Sequence, residues 1–195
     1  RYKNRITSFL HYYGIQVDPL FGDPQSHWSR RFVTWLESME LDGGSGKASL
    51  QTLVNGCKNL RTSVLGVNKQ IRQLSQTPPY KDRYDLLRSV PGIGPLTAMI
   101  ILTELEDINR FKNLDKLCGY IGLVPSTKSS GEKEKSGDIT PRGHSVLRTA
   151  LIESSWTAIR NDPALMKSYL DFTKRMNSNK AIIKIARKLL SRIRY

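Results

Sequence analysis

Apolar positions fall at helical spacing through most of this chain, and no stretch shows the period-two alternation of a half-buried strand. Ile6, Phe9, Leu10 and Tyr13 make an i, i+3, i+4, i+7 face that predicts a helix over residues 1–13, stopped by Gly14. Asp18-Pro19 and Gly22-Asp-Pro24 are turn signals. Trp28, Phe32, Trp35, Leu36 and Met39 then predict a second helix from Ser26, and Gly43-Gly-Ser-Gly46 breaks the chain again. Leu50, Leu53, Cys57, Leu60, Val64, Val67, Ile71 and Leu74 follow at alternating spacings of three and four without a slip. That is an a/d seam, expected either of a coiled coil over about residues 47–76 or of one long helix in a bundle. Pro78-Pro79 ends it.

A second domain is expected from about Tyr80, which divides the chain into a helical arm, residues 1–79, and a C-terminal domain, residues 80–195. Its pattern predicts a short helix at Asp85–Val90, a turn at Pro91-Gly-Ile-Gly94 and an apolar helix over Pro95–Leu105. Ile108, Phe111, Leu114, Leu117, Cys118 and Ile121 continue a helical face as far as Gly122. Further helices are expected over Ser145–Ile159, around Leu165, Met166, Tyr169, Leu170 and Phe172, and from about Asn179 to the C-terminus. The predicted fold class is all-α. Between Leu123 and Arg148 the pattern stops, in favour of a long polar loop rich in Gly, Pro and Ser, and loops of that length inside a domain are usually functional or disordered.

Charge changes the picture most. The chain has 195 residues with 31 Lys+Arg against 17 Asp+Glu, a formal net charge of +14, and a pI of about 10.0. Such an excess points to a polyanionic partner, DNA or RNA. The mean hydropathy is −0.42, and no apolar run approaches the roughly 18 residues of a membrane span. The basic opening Arg1-Tyr-Lys-Asn-Arg5 is no secretory signal, and cysteines at Cys57 and Cys118 inside apolar patterns fit a reducing cytoplasm. The absence of an initiator methionine predicts a piece of a longer protein.

Candidate chemistry is sparse outside the loop. His11, His27 and His144 have no metal-ligand spacing, and the carboxylates of the C-terminal half show no set for a two-metal nuclease. Pro91-Gly-Ile-Gly94 between two helices has the form of a helix-hairpin-helix, in which backbone N–H groups at Gly92 and Gly94 approach a phosphate; it is equally the form of a plain tight turn. The loop concentrates hydroxyls at Ser126, Ser129, Ser130 and Ser136, and positive charge at Lys128, Lys133, Arg142, His144 and Arg148. A serine can attack phosphorus when its proton is removed and the phosphate is neutralised, although Ser-Ser-Gly is also ordinary turn chemistry. Lys184, Arg187 and Lys188 lie on the polar side of the last helix, a face that is either solvated or set to track phosphates.

An ordered series of motifs now adds a resemblance. Val90-Pro-Gly-Ile-Gly-Pro-Leu-Thr-Ala98, Gly119-Tyr-Ile-Gly-Leu-Val-Pro125, Ser129-Ser-Gly131 and Gly137-Asp-Ile-Thr-Pro-Arg-Gly143 resemble the C-terminal transposase domain of the IS-one-ten insertion-sequence family, the RNA-guided bridge recombinases. The resemblance implies DNA transposition through a serine nucleophile that forms a phosphoserine link. The family's serine immediately precedes glycine, which carries over to Ser130, with Ser129 as its neighbour. It also implies a guide RNA, a coiled-coil segment matching residues 50–74 that joins chains into a homo-oligomer, and an N-terminal RuvC-like domain whose four acidic residues hold Mg²⁺. That domain is not recognised here, so no cofactor is expected on this chain and the isolated fragment is expected to be inactive. From the residues alone, a non-catalytic helix-hairpin-helix DNA-binding module and a coiled-coil assembly domain remain the alternatives.

Overall fold

Two separate hydrophobic cores organise the helices, and their residues follow the apolar faces set out above. A computed structural model describes the chain except residues 24–26, 42–43, 131–132 and 141; for residues 126–130 and 133–138 it describes the backbone only. The chain divides into two compact units, Arg1–Lys69 and Gln70–Tyr195.

The first unit holds α1 (Tyr2–Tyr12), a short 3₁₀ turn at Pro19–Phe21, α2 (Arg30–Ser38) and most of α3 (Gly44–Ser75). Ile6 and Leu10 of α1, Phe32 and Leu36 of α2 and Leu50 and Val54 of α3 close on one another with Phe21 between them. The helix expected from Ser26 starts at Arg30, because Ser29 Oγ caps it by accepting from Phe32 N–H at 3.2 Å and Trp28 sits at φ +69°, outside right-handed helical space.

α3 runs unbroken for 32 residues, about 48 Å at 1.5 Å per residue. Its apolar seam divides in use. Leu50 is buried, whereas Leu60, Val64 and Val67 are 54%, 58% and 53% exposed. Among the described residues, Leu60, Val64 and Val67 of the seam therefore have no cover, whereas Ile71 beyond them packs against the core of the second unit.

In the second unit, α4 (Lys81–Ser89), α5 (Pro95–Leu105), α6 (Leu114–Ile121), α8 (Pro163–Thr173) and α9 (Ser178–Arg194) surround α7 (Ser145–Asn161), which touches α5, α6, α8 and α9. Leu117, Cys118, Ile121, Leu147, Leu151, Ile185, Leu189 and Leu190 are fully buried at the centre. Every core element is helical, so the fold class is all-α, as the periodicity predicts.

The polar loop differs from its expectation. Residues Pro125–Ser130 (β1) and Lys133–Ile139 (β2) pair as an antiparallel ribbon, with Thr127 opposite Ser136, Ser129 opposite Glu134 and Ser130 opposite Lys133. Sequence periodicity misses it for a physical reason. Alternation marks a strand only when one face is buried and the other wet, and Pro-Ser-Thr-Lys-Ser-Ser against Lys-Glu-Lys-Ser-Gly-Asp-Ile offers almost no apolar face to bury.

Candidate functional site

The ribbon leaves the helical core at the end of α6 and returns at the start of α7, and both roots are held by backbone geometry. α6 ends in a Schellman motif: Gly122, at φ +84°, lets Gly122 N–H reach Gly119 C=O at 3.2 Å and Leu123 N–H reach Cys118 C=O at 2.8 Å. Leu123 is fully buried behind it. On the return side Gly143 has φ +112°, and a Cβ there would lie 2.7 Å from both N and Cα of Gly122. A Cβ on Gly122 would in turn lie 2.4 Å from the Arg142 carbonyl oxygen. The two backbones cross too closely for side chains.

Side chains then tie the crossing to the surrounding helices. Arg148, one turn into α7, donates from Nη1 to the carbonyls of Thr140 at 2.8 Å and Arg142 at 3.2 Å. Arg187 of α9 donates to the Leu123 carbonyl at 3.3 Å and pairs with Asp115 at 2.8 Å. His144 caps α7: its Nδ1 accepts from Leu147 N–H at 3.3 Å, which leaves the proton on Nε2, and Nε2 donates to Glu104 Oε2 at 2.8 Å. The His144 N–H also donates to the Tyr120 carbonyl at 3.0 Å. Arg148, Arg187 and His144, three of the positive groups expected to meet nucleic acid, are thus bonded into the ribbon's footing.

The other predicted residues are placed as follows. The backbones of Lys128, Ser129, Ser130 and Lys133 lie in the ribbon; their side chains, and Gly131, fall outside the described residues. Arg142 is exposed, with its N–H on Thr140 Oγ1 at 3.2 Å. Gly92 sits at φ +91° behind Pro91, in a turn closed by Ile93 N–H on the Val90 carbonyl at 3.1 Å; a Cβ there would lie 2.5 Å from the Ser154 carbonyl oxygen and 2.6 Å from Ala158 Cβ. Its role in packing on α7 is therefore clear. Gly94 begins α5 with no side-chain cap and open space where a Cβ would be. Lys184 and Lys188 are exposed, and both ammoniums lie over the Phe172 ring, at 5.2 and 5.6 Å, with Lys188 also on Ser168 Oγ at 3.0 Å. Between Arg160 and Tyr195 the acids are Asp162 and Asp171 alone, paired with Arg192 and Lys174 respectively. The hydrogen bond from Arg192 holds the Asp162 carboxyl below the usual carboxylate range. Two lysines sharing one ring on such a surface make a strongly positive ridge.

Cys118 offers no competing nucleophile, since burial pushes its thiol up and keeps it protonated. Sequence reasoning missed Glu104, Arg110 and Tyr120. Glu104 lies forty residues from the histidine it engages, a separation no local pattern reports. Arg110 and Tyr120 carried a usable signal, a cation and an aromatic beside a turn and a helix end.

Residues 84–171, from Tyr84 of α4 to Asp171 of α8, match the family model described as "Transposase IS116/IS110/IS902 family", and they span the tight turn, the ribbon and its footing apart from Arg187. The chain is 34% identical over 162 residues to the transposase for insertion sequence element IS1111A of Coxiella burnetii, covering 81% of this chain and 42% of that protein. It is 34% identical over 137 residues to the pilin gene-inverting protein of Moraxella bovis, covering 66% of this chain and 41% of that protein. To an insertion element IS110 protein of Streptomyces coelicolor it is 31% identical over 140 residues, 68% of this chain and 34% of the relative. The chain thus spans less than half the length of these relatives. The matched segment ends before α9, so the ridge of Lys184 and Lys188 lies beyond it.

Proposed function

We propose that this chain is the part of a DNA transposase that presents a serine nucleophile to a DNA backbone and holds the nucleic acid on a basic helical surface. The observation that carries the reading is the ribbon whose first strand ends in Ser129 and Ser130, rooted by the Gly122–Gly143 crossing inside the matched segment. Relatives described as transposases and as a gene-inverting protein support it. In this reading Ser130 Oγ attacks phosphorus and displaces a deoxyribose hydroxyl, leaving a phosphoserine link, and Ser129 is the neighbour to be tested against it. Among the described residues no three His, Cys, Asp or Glu side chains come together as a metal site. In this reading the carboxylates for the Mg²⁺ implied by the resemblance belong to an N-terminal RuvC-like domain. No described helix is long and apolar enough to cross a membrane, and the reading places the protein on DNA in a bacterial cytoplasm, with a guide RNA choosing the target.

Two measurements test its physical parts. Binding of duplex DNA should weaken steeply with salt, and replacing Lys184 and Lys188 together with alanine should lower the slope of log K against log salt by about two, one per lost phosphate contact. A slope unchanged by that pair would remove the ridge from the interface. The exposed part of the α3 seam is proposed to pair with a second copy of the chain, because Leu60, Val64 and Val67 repeat at a/d spacing and have no cover among the described residues. Leu60→Asp should weaken self-association by at least about a hundredfold, given that each buried leucine contributes about 1.5–3 kcal/mol and a dimer loses two. Sedimentation of both proteins reads this, and identical profiles would discard the seam.

The uncapped start of α5 beside Gly94 favours one further reading, a purely binding helix-hairpin-helix module. Substituting each serine in the full-length protein separates binding from catalysis.

A further inference from the structure

One surface beside the ribbon's footing combines groups that neither the serine chemistry nor the phosphate ridge uses. The guanidinium of Arg110, an exposed residue, lies 4.8 Å from the ring centre of Phe111 and 4.9 Å from that of Tyr120. The two rings are 5.1 Å apart, and the Tyr120 ring is 5.9 Å from that of His144. Tyr120 is 37% exposed, although it sits on a helix whose neighbouring Leu117, Cys118 and Ile121 are fully buried, so the ring stands on a rigid base. Lys116, also exposed, lies one helical turn before Tyr120 on the same face. Glu104, the acid nearby in the network, is engaged by the His144 imidazole.

Gly119 is the second, independent observation. It lies inside α6, where glycine costs a helix about 1 kcal/mol relative to alanine. A Cβ there would meet nothing within 4 Å, so no packing against the described residues demands the glycine. The space beside Tyr120 is kept open toward the outside.

We propose that Tyr120 and Arg110, with Gly119 leaving room beside them, form a stacking platform for an unpaired nucleobase of single-stranded DNA or RNA. The inference rests on the reading that this chain binds nucleic acid, and narrows it to a strand opened out of its duplex. An exposed ring gains nothing from duplex phosphates, because duplex bases are already stacked on one another. An unpaired base presents a bare face, and stacking it on an aromatic side chain contributes about 1–3 kcal/mol whatever the base. The Arg110 guanidinium beside both rings carries five N–H donors suited to the adjoining phosphate, and Lys116 supplies a second cation on the same face. A purely structural cluster would explain the contact between Phe111 and Tyr120, but not the open Gly119.

The test uses the 195-residue chain with a short single strand carrying 2-aminopurine and a duplex of matching length. Binding should quench the 2-aminopurine, and Tyr120→Leu should weaken single-strand binding about tenfold while changing duplex affinity less than about twofold. Tyr120→Phe should restore single-strand affinity and quenching, since stacking needs the ring and not the hydroxyl. Gly119→Ala should raise the thermal midpoint, as a helix propensity gain requires, yet weaken single-strand binding about threefold or more. A platform with only a structural role predicts the higher midpoint with unchanged binding. Single-strand affinity untouched by Tyr120→Leu, or single-strand and duplex affinities falling together, would overturn the platform while leaving the transposase reading intact. Wild-type protein that bound neither form would instead remove the nucleic-acid reading on which both rest.

Discussion

Ser130→Ala in the full-length protein is expected to abolish strand cleavage, by at least about three orders of magnitude, with DNA and RNA binding nearly unchanged. The size of the effect follows from the chemistry. Removing the nucleophile's oxygen removes the covalent intermediate altogether, whereas removing a binding contact lowers only the occupancy of a competent complex. Ser129 and Ser130 are successive residues of one strand, opposite Glu134 and Lys133 respectively. The Ser129→Ala variant is therefore the necessary partner experiment. A denaturing gel of protein and end-labelled DNA reads both cleavage and the covalent product. If Ser129→Ala alone loses the covalent band, the roles of the two serines are exchanged; if cleavage survives both substitutions, neither is the nucleophile.

The second large effect concerns the footing. Gly143→Ala should destabilise the C-terminal unit by about 3 kcal/mol, adding the cost of a side chain at positive φ to that of forcing apart two packed backbones. The Gly143 φ of +112° and the 2.7 Å separation between a Cβ there and Gly122 supply those two costs. For a unit of this size the thermal midpoint should fall by about 10 °C. Amide exchange in the ribbon should accelerate with it, because Arg148 and Gly143 hold the same strand. Gly94→Ala is the control: with φ −81° and open space around it, the change should stay within about 1 kcal/mol. Equal midpoints for wild type and Gly143→Ala would mean that the crossing relaxes without cost.

The two predictions differ in what the sequence could show. Ser130 was reached from a motif, since four serines in a polar loop were chemically equivalent until the Ser-Gly pair was matched to a family. Gly122 and Gly143 look like two ordinary loop glycines, twenty-one positions apart, until the crossing makes each the reason for the other. The same holds for the charged residues. In sequence Arg142, Arg148, Lys184 and Arg187 are interchangeable cations, yet Arg148 and Arg187 turn out to hold carbonyls at the roots of the ribbon, while Arg142 and Lys184 are exposed.

By itself, the sequence determined the helices, their all-α packing and the basic character of the surface. Each of these depends on residues within a few positions of one another or on a sum over the whole chain. The 3.6-residue period selects a buried face wherever the partner lies, so Leu147, Leu151, Ile185 and Leu189 could be named as core without knowing that they meet. Only the tertiary structure decided that the polar loop pairs as a ribbon, that Leu60, Val64 and Val67 of the α3 seam are left exposed, and that Tyr120, Arg110 and His144 gather beside the ribbon's root. Those features depend on backbone pairing without a buried face and on contacts between distant positions, and neither leaves a periodic trace along the chain.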